Sequence, residues 1–261
     1  MPRCRPGRPA GRRWIMVSPA DDPNVNRRAL LATVGLVVPT LLVATACSRE
    51  GDDKDEKEGG EEQEVAANED LMREHGVLRR ILIVYREAAP LVASSAKVDA
   101  AALNRAATLF RTFGEQYHEK LLEEGHVFPA VRKAGGDAAR YPDLLVAQHE
   151  RGRQLTDYII DQTKGGSIAT GQAEGLAKAM TGFSRMYEAH AAREDTIVFP
   201  SFKKALGKQY KELGEQFEEI ERKQFGGDGF DMALDKVTNI EGALGLADLA
   251  RFTAAPPPAT A

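Results

Sequence analysis

The most constraining feature of this sequence is a register that occurs twice. YHEKLLEEGHVFPAVRKAG begins at Tyr117, and EAHAAREDTIVFPSFKKALG begins at Glu188. Each copy runs from a His through acidic residues to Val-Phe-Pro and ends on Gly. Residues four apart on an α-helix share a face, so His190 and Glu194 point the same way. The first copy is one residue longer: His118 lies 11 residues before Pro129, whereas His190 lies 10 before Pro200. Its matching acid, Glu123, therefore falls five positions after His118, which a regular helix turns away by about 140°. A π-turn, with its i→i+5 bonding, would bring both side chains back to one face. Glu119 and Glu124 are the alternative carboxylates. Proline inside a helix removes a backbone bond and kinks the chain. Each Phe-Pro step either bends the helix end inward, with Phe128 and Phe199 covering the acids, or begins a new helical piece.

The helix period continues on both sides of this register. Leu71, His75, Leu78, Leu82 and Tyr85 recur at helical steps behind a cap at Asn68 or Asp70, and a loop follows near residues 90–97. A second helix starts near Asp99 and stops at Gly135-Gly136. A third runs from Pro142-Asp143 to about Lys164, and a fourth from about Gly171 to Leu206. No stretch alternates as a strand would. The pattern predicts an all-α fold, an antiparallel up-down four-helix bundle over residues 68–207. Additional C-terminal helices follow as an extension over 208–251, with a Pro/Ala-rich flexible tail at 252–261.

The chain has five histidines and two cysteines, Cys4 and Cys47. Four of the histidines, His75, His118, His149 and His190, fall one on each long helix. A lone buried His is commonly a satisfied core residue; four on facing helices with acids alongside are another matter. Burying carboxylates costs several kcal/mol per ion unless something pairs them, and a metal cation does so directly. Both cysteines lie at the front of the chain, so a metal in the bundle would be held by imidazole and carboxylate alone. That donor set suits iron or manganese, and zinc would fit the same ligands. His126 stays outside this inner set.

The front of the chain reads as an export signal over residues 1–47. NRRALL precedes the apolar run ALLATVGLVVPTLLVATA, and the paired arginines resemble a twin-arginine signal. The run ends in VATAC, which resembles a lipobox with Cys47 as the lipidated residue; plain cleavage or a retained anchor are the alternatives. Residues 48–67 are charge-dense and aperiodic, as expected of an acidic disordered tether. These features place the protein outside the cytoplasm, at the cell envelope or periplasm. The chain beyond Cys47 is acidic and would repel phosphate backbones, so nucleic acid is not an expected partner.

The ordered pieces EDLMREHGVLRRIL, YHEKLLEEGHVFP, LVAQHERGRQLTD and YEAHAAREDTIVFP resemble the hemerythrin-like, HHE cation-binding family. The resemblance covers about Glu69 to Leu206. It implies a non-haem di-iron centre held by His75, His118, Glu123, His149, His190 and Glu194. One departure stands out: oxygen-carrying hemerythrins have a second His one turn along the third helix, where this chain has Arg153. The reading that follows is an exported di-iron module that binds dioxygen or nitric oxide for sensing, buffering or detoxification. An oxidoreductase acting on oxygen, peroxide or nitric oxide is the alternative. It would need an acid/base or redox-active group such as Tyr117 or Tyr187, which otherwise serve as packing aromatics. A metal-free helical scaffold is the third possibility.

Overall fold

The computed structural model describes residues 66–258, and the expected export signal and nearly all of the tether lie outside them. Every regular element among the described residues is helical. Helix α1 (Ala67–Ala93) is followed by α2 (Ala100–Leu109), a π-helical segment (Phe110–Val127) and α3 (Phe128–Ala134), which run on without a break. Helix α4 (Pro142–Thr163) comes next. Then α5 (Ala173–Arg193), a short π-helical segment (Glu194–Val198) and α6 (Phe199–Leu206) form a second unbroken run. Helices α7 (Tyr210–Phe225) and α8 (Gly229–Leu244) complete the chain, apart from short 3-10 turns. No helix among the described residues is long and apolar enough to cross a membrane.

Local chemistry accounts for most boundaries. The Asp99 side chain accepts the Ala102 amide at 3.0 Å and caps α2. Pro142 occupies the first turn of α4, where its missing donor costs nothing. The link between α3 and α4 turns at Gly135 and Gly136, both at positive φ (72° and 73°), a conformation open to glycine without strain. Two expectations are corrected. Asn68 and Asp70 do not cap α1, which begins at Ala67. Asn68 instead donates its side-chain amide to the Phe199 carbonyl at 2.7 Å, and its backbone N–H to the Tyr210 hydroxyl at 2.7 Å. The loop expected from residue 90 begins later, because α1 carries Pro90 inside it and continues to Ala93. Helix α8 stops at Gly245, where the left-handed backbone lets Leu246 N–H reach back to the Glu241 carbonyl at 2.8 Å.

The core has an apolar end and a polar end. At the apolar end Tyr85, Phe110, Phe183 and Tyr187 meet edge to face or tilted at centroid distances of 4.6 to 5.4 Å. Ile81, Leu103, Leu176 and Met180 are fully buried in the same core, each contributing about 1.5–3 kcal/mol of burial. Helices α7 and α8 lie against α1, α2 and the long π segment. Phe217, Val237 and Ile240 are buried there, and Arg80 grips both carboxylate oxygens of Glu241 at 2.9 and 2.5 Å.

Candidate metal centre

The polar end is built by the two π-helical segments and the helices facing them. Along the first segment Phe113, His118, Glu123 and Phe128 stand five residues apart, and each is at most 1% exposed. The i→i+5 bonding widens the turn until a five-residue step returns to the same face. The spacing of His118 and Glu123 called for one π-turn; the chain holds the π conformation through all 18 residues of the segment. The second copy needs less. His190 closes α5, Glu194 follows at the regular four-residue step, and the π segment begins there. Pro129 and Pro200 fall in the first turn of α3 and α6, so both prolines begin α-helical pieces where a missing N–H is tolerated. Phe128 stacks on the His149 ring at 5.6 Å and 22°, and Phe199 on His75 at 5.3 Å and 27°.

His75 from α1, His118 and Glu123 from the long π segment, His149 from α4, and His190 and Glu194 come together in one buried volume, none more than 4% exposed. Glu123 lies at its middle. Its Oε1 is 3.3 Å from His118 Nε2 and 4.0 Å from His75 Nε2, while its Oε2 is 3.3 Å from His149 Nε2. Glu194 Oε2 is 3.0 Å from His190 Nε2 and 3.5 Å from His75 Nε2. Two ligand sets result, each with its donor atoms within 4.8 Å of one another: Glu123, His149, His190 and Glu194, and His75, His118 and Glu123.

These approaches are not hydrogen bonds. Both oxygens of Glu123, both of Glu194 and the Nε2 of His118 are buried without a hydrogen-bond partner. Unsatisfied buried acceptors are costly, and here they converge with imidazole nitrogens. A cation bound among them would satisfy all of them, so the donor set fits a metal on the geometry of the chain itself.

The outward-facing nitrogens are all occupied. His75 Nδ1 pairs with Asp195 Oδ1 at 2.7 Å, and the other oxygen of that carboxylate meets Arg79. His118 Nδ1 pairs with Glu74 Oε2 at 2.5 Å, His149 Nδ1 with Glu124 Oε1 at 3.1 Å, and His190 Nδ1 with Gln148 Oε1 at 2.9 Å. Each partner is an acceptor, so a ring that binds a metal would donate from Nδ1 and offer Nε2 to the ion. Without one, His149 Nε2 and His190 Nε2 lie 3.1 Å apart in a hydrogen bond that needs a proton on one of them. Electrostatics follow. Burial pushes the His149 imidazole down, but Glu119, Glu123 and Glu124 outweigh it and carry it up to about 10. His118 is held well above its usual range against burial by Glu123 and Glu74. Glu123 is held well below the carboxylate range because His118 and His149 overcome its desolvation. Glu124 falls to about 2, burial being outweighed by His149, Arg153 and Lys120.

A small cavity adjoins the cluster, with room for about 20 Å³ of water-sized contents, enough for one small molecule. Leu78, Leu82 and Phe110 form its apolar wall, and His75, Glu123, His190 and Glu194 the polar one. Glu119 and Tyr187 also line it, joined by the Tyr187 hydroxyl donating to Glu119 Oε1 at 2.7 Å. Gly152 makes this possible, since a Cβ there would sit 1.9 Å from that hydroxyl oxygen.

The alternative carboxylates have other tasks. Glu124 serves the outer side of His149, where Arg153 reaches it at 2.6 Å, and Glu119 bonds Tyr187. His126 is turned away, its ring 5.6 Å from Phe217 of α7. Tyr117 packs among Phe113 and Phe225. Sequence reasoning missed Glu74, Gln148 and the role of Asp195. Helical spacing relates neighbours on one helix, whereas all these contacts cross between helices. The five-residue recurrence of Phe113, His118, Glu123 and Phe128 was a readable signal for the extended π segment.

Comparison with known proteins agrees with this geometry. Residues 66–202 match the family model of the hemerythrin HHE cation binding domain. An uncharacterized protein of Mycobacterium bovis is 39% identical over 235 residues, covering 88% of this chain and 91% of its own length. An uncharacterized protein of Mycobacterium tuberculosis matches to the same extent. No solved structure gives a significant match.

Proposed function

The chain belongs to the hemerythrin HHE cation-binding family, and on that premise we propose that it is an exported non-haem di-iron protein that binds dioxygen or nitric oxide. In this reading residues 68–207 form an antiparallel up-down four-helix bundle, with the C-terminal helices docked on it. His75, His118, Glu123, His149, His190 and Glu194 hold two iron ions. The observation that carries the proposal is Glu123, fully buried, presenting one oxygen to His118 and the other to His149 with no hydrogen-bond partner for either. Such a carboxylate is placed to bridge two cations. Bound iron would supply a site for a diatomic ligand, and the chain supplies the rest: a cavity of matching size, an apolar wall of Leu78, Leu82 and Phe110, and stacked Phe rings that keep water off the imidazoles. The export signal and the lipobox-like VATAC support an envelope location, with Cys47 as a lipid anchor.

Anaerobic loading with ferrous iron, followed by exposure to oxygen, tests the reading. Two irons per chain and a reversible charge-transfer band are expected; failure to take up iron stoichiometrically would overturn it. His149→Ala should lose about one metal per chain while the helices persist. A second reading is favoured by Tyr187. Its hydroxyl lines the cavity and bonds to Glu119, and burial together with Glu119 keeps it protonated far above the usual phenol range. A phenol that holds its proton so tightly would orient a bound ligand by hydrogen bonding rather than protonate it. Reduction of oxygen, peroxide or nitric oxide is the activity such a cavity-lining hydroxyl would assist, and sustained turnover with an electron donor would select this reading.

A further inference from the structure

The two imidazole pairs are not backed alike. The inner carboxylates lie between the pairs: Glu123 turns one oxygen to each, and Glu194 Oε2 is 3.0 Å from His190 and 3.5 Å from His75. The His149/His190 set has the larger inner share, four donors with two carboxylates against three with one. Inner donors alone would favour that ion, so any preference for the other must come from the outer partners. The outer partners differ. His118 leans on Glu74, a carboxylate with no exposure whose second oxygen has no hydrogen-bond partner. His75 leans on Asp195, which also meets Arg79. On the other side, Glu124 behind His149 is already divided between Arg153 at 2.6 Å and Lys120 at 2.7 Å. Behind His190 stands only the neutral amide oxygen of Gln148. A carboxylate accepting the outer N–H makes an imidazole a stronger donor through its other nitrogen, and such partners are typically worth 10- to 100-fold in metal affinity.

We infer that the His75/His118 position holds its ion more tightly than the His149/His190 position, and that Gln148, acting through His190, is the positioning residue that sets the difference. The inference rests on the two-ion reading above. Gln148 is only half-buried, so a glutamate is accommodated there without entering the sealed interior.

Protein loaded anaerobically with ferrous iron is mixed with a colorimetric ferrous chelator, and release is followed in time. The full chain should release iron in two phases of equal amplitude. Gln148→Glu should slow the faster phase about tenfold and leave the slower one in place, while Gln148→Leu should quicken the faster phase only. Glu74→Gln should instead quicken the slower phase. Each variant is also unfolded without metal, and unchanged melting shows that the effect runs through His190. Two irons bound with both phases indifferent to Gln148→Glu, or with both shifted equally, overturns this inference alone. Fewer than two irons bound by the unmodified chain overturns the two-ion reading and this inference with it.

Discussion

Carboxylates are buried in two quite different states within this chain. Around the imidazoles Glu123, Glu124 and Asp195 are held ionised below the usual carboxylate range, because histidine or arginine partners outweigh the cost of burial. Where α1 meets α7, Asp70 and Glu221 are each pushed up to about 7, first by burial and then by Glu74 and by neighbouring acids. Glu115, which faces Thr156 and Arg153 of α4, is likewise raised to about 7 by burial. Burial alone therefore makes a carboxylate reluctant to ionise. Imidazoles turn it into a group ready for a cation, and the difference between the regions is the presence of His75, His118, His149 and His190.

Removing the central acid should give the widest separation between the two regions. Glu123→Ala should abolish uptake of a second ion and, by stranding His118 and His149, destabilise the metal-free protein by about 3–5 kcal/mol. Metal analysis and urea unfolding measure both. Glu221→Ala should leave uptake untouched, and equal metal loss in the two variants would erase the distinction.

Gly152→Ala comes next in size. The added methyl would collide with the Tyr187 hydroxyl and drive it from Glu119, at about 1–3 kcal/mol by thermal melting. Adding Tyr187→Phe should recover part of that loss, because the nearest atom is the one removed.

A pH series tests the α1–α7 side. Asp70 and Glu221 have folded values of about 7 against ordinary ones of 3.8 and 4.5. The folded state therefore retains protons that the unfolded chain gives up, and stability falls as pH rises from about 4 to 7. Glu221→Gln should flatten that fall by about 1–2 kcal/mol, discounted because Glu221 remains within reach of water. On the imidazole side Glu123 runs the other way, its contribution being present above 4.5 and lost as pH drops through its lower folded value, whereas that of His149 is full below 6.5 and lost as pH rises towards about 10. Smallest of all, Asn68→Ala should cost about 1 kcal/mol through the lost bond to the Phe199 carbonyl, with metal uptake unchanged.

Much of this was legible in the chain before its structure. The helical character, the breaks at Gly135 and Pro142, and the meeting of the four histidines follow from periodicity and from one His per long helix. The need for a π-turn was visible in the extra residue between His118 and Glu123. What could not be read was which side chain on one helix backs an imidazole on another. Glu74 precedes His75 yet serves His118, and Asp195 follows Glu194 yet serves His75. Asn68 looked like a cap because its side chain suits one, and a tertiary partner took it instead.

The stacking of Phe128 on His149 and of Phe199 on His75 ties the polar cluster to the two helical runs twice over. Both rings sit at the first residue of α3 and α6, which run on from the π segments and end at Gly135 and Gly207. The run that carries Glu123 thus also roofs His149, and the run that carries Glu194 roofs His75, so a change in either run would shift carboxylate and roof together.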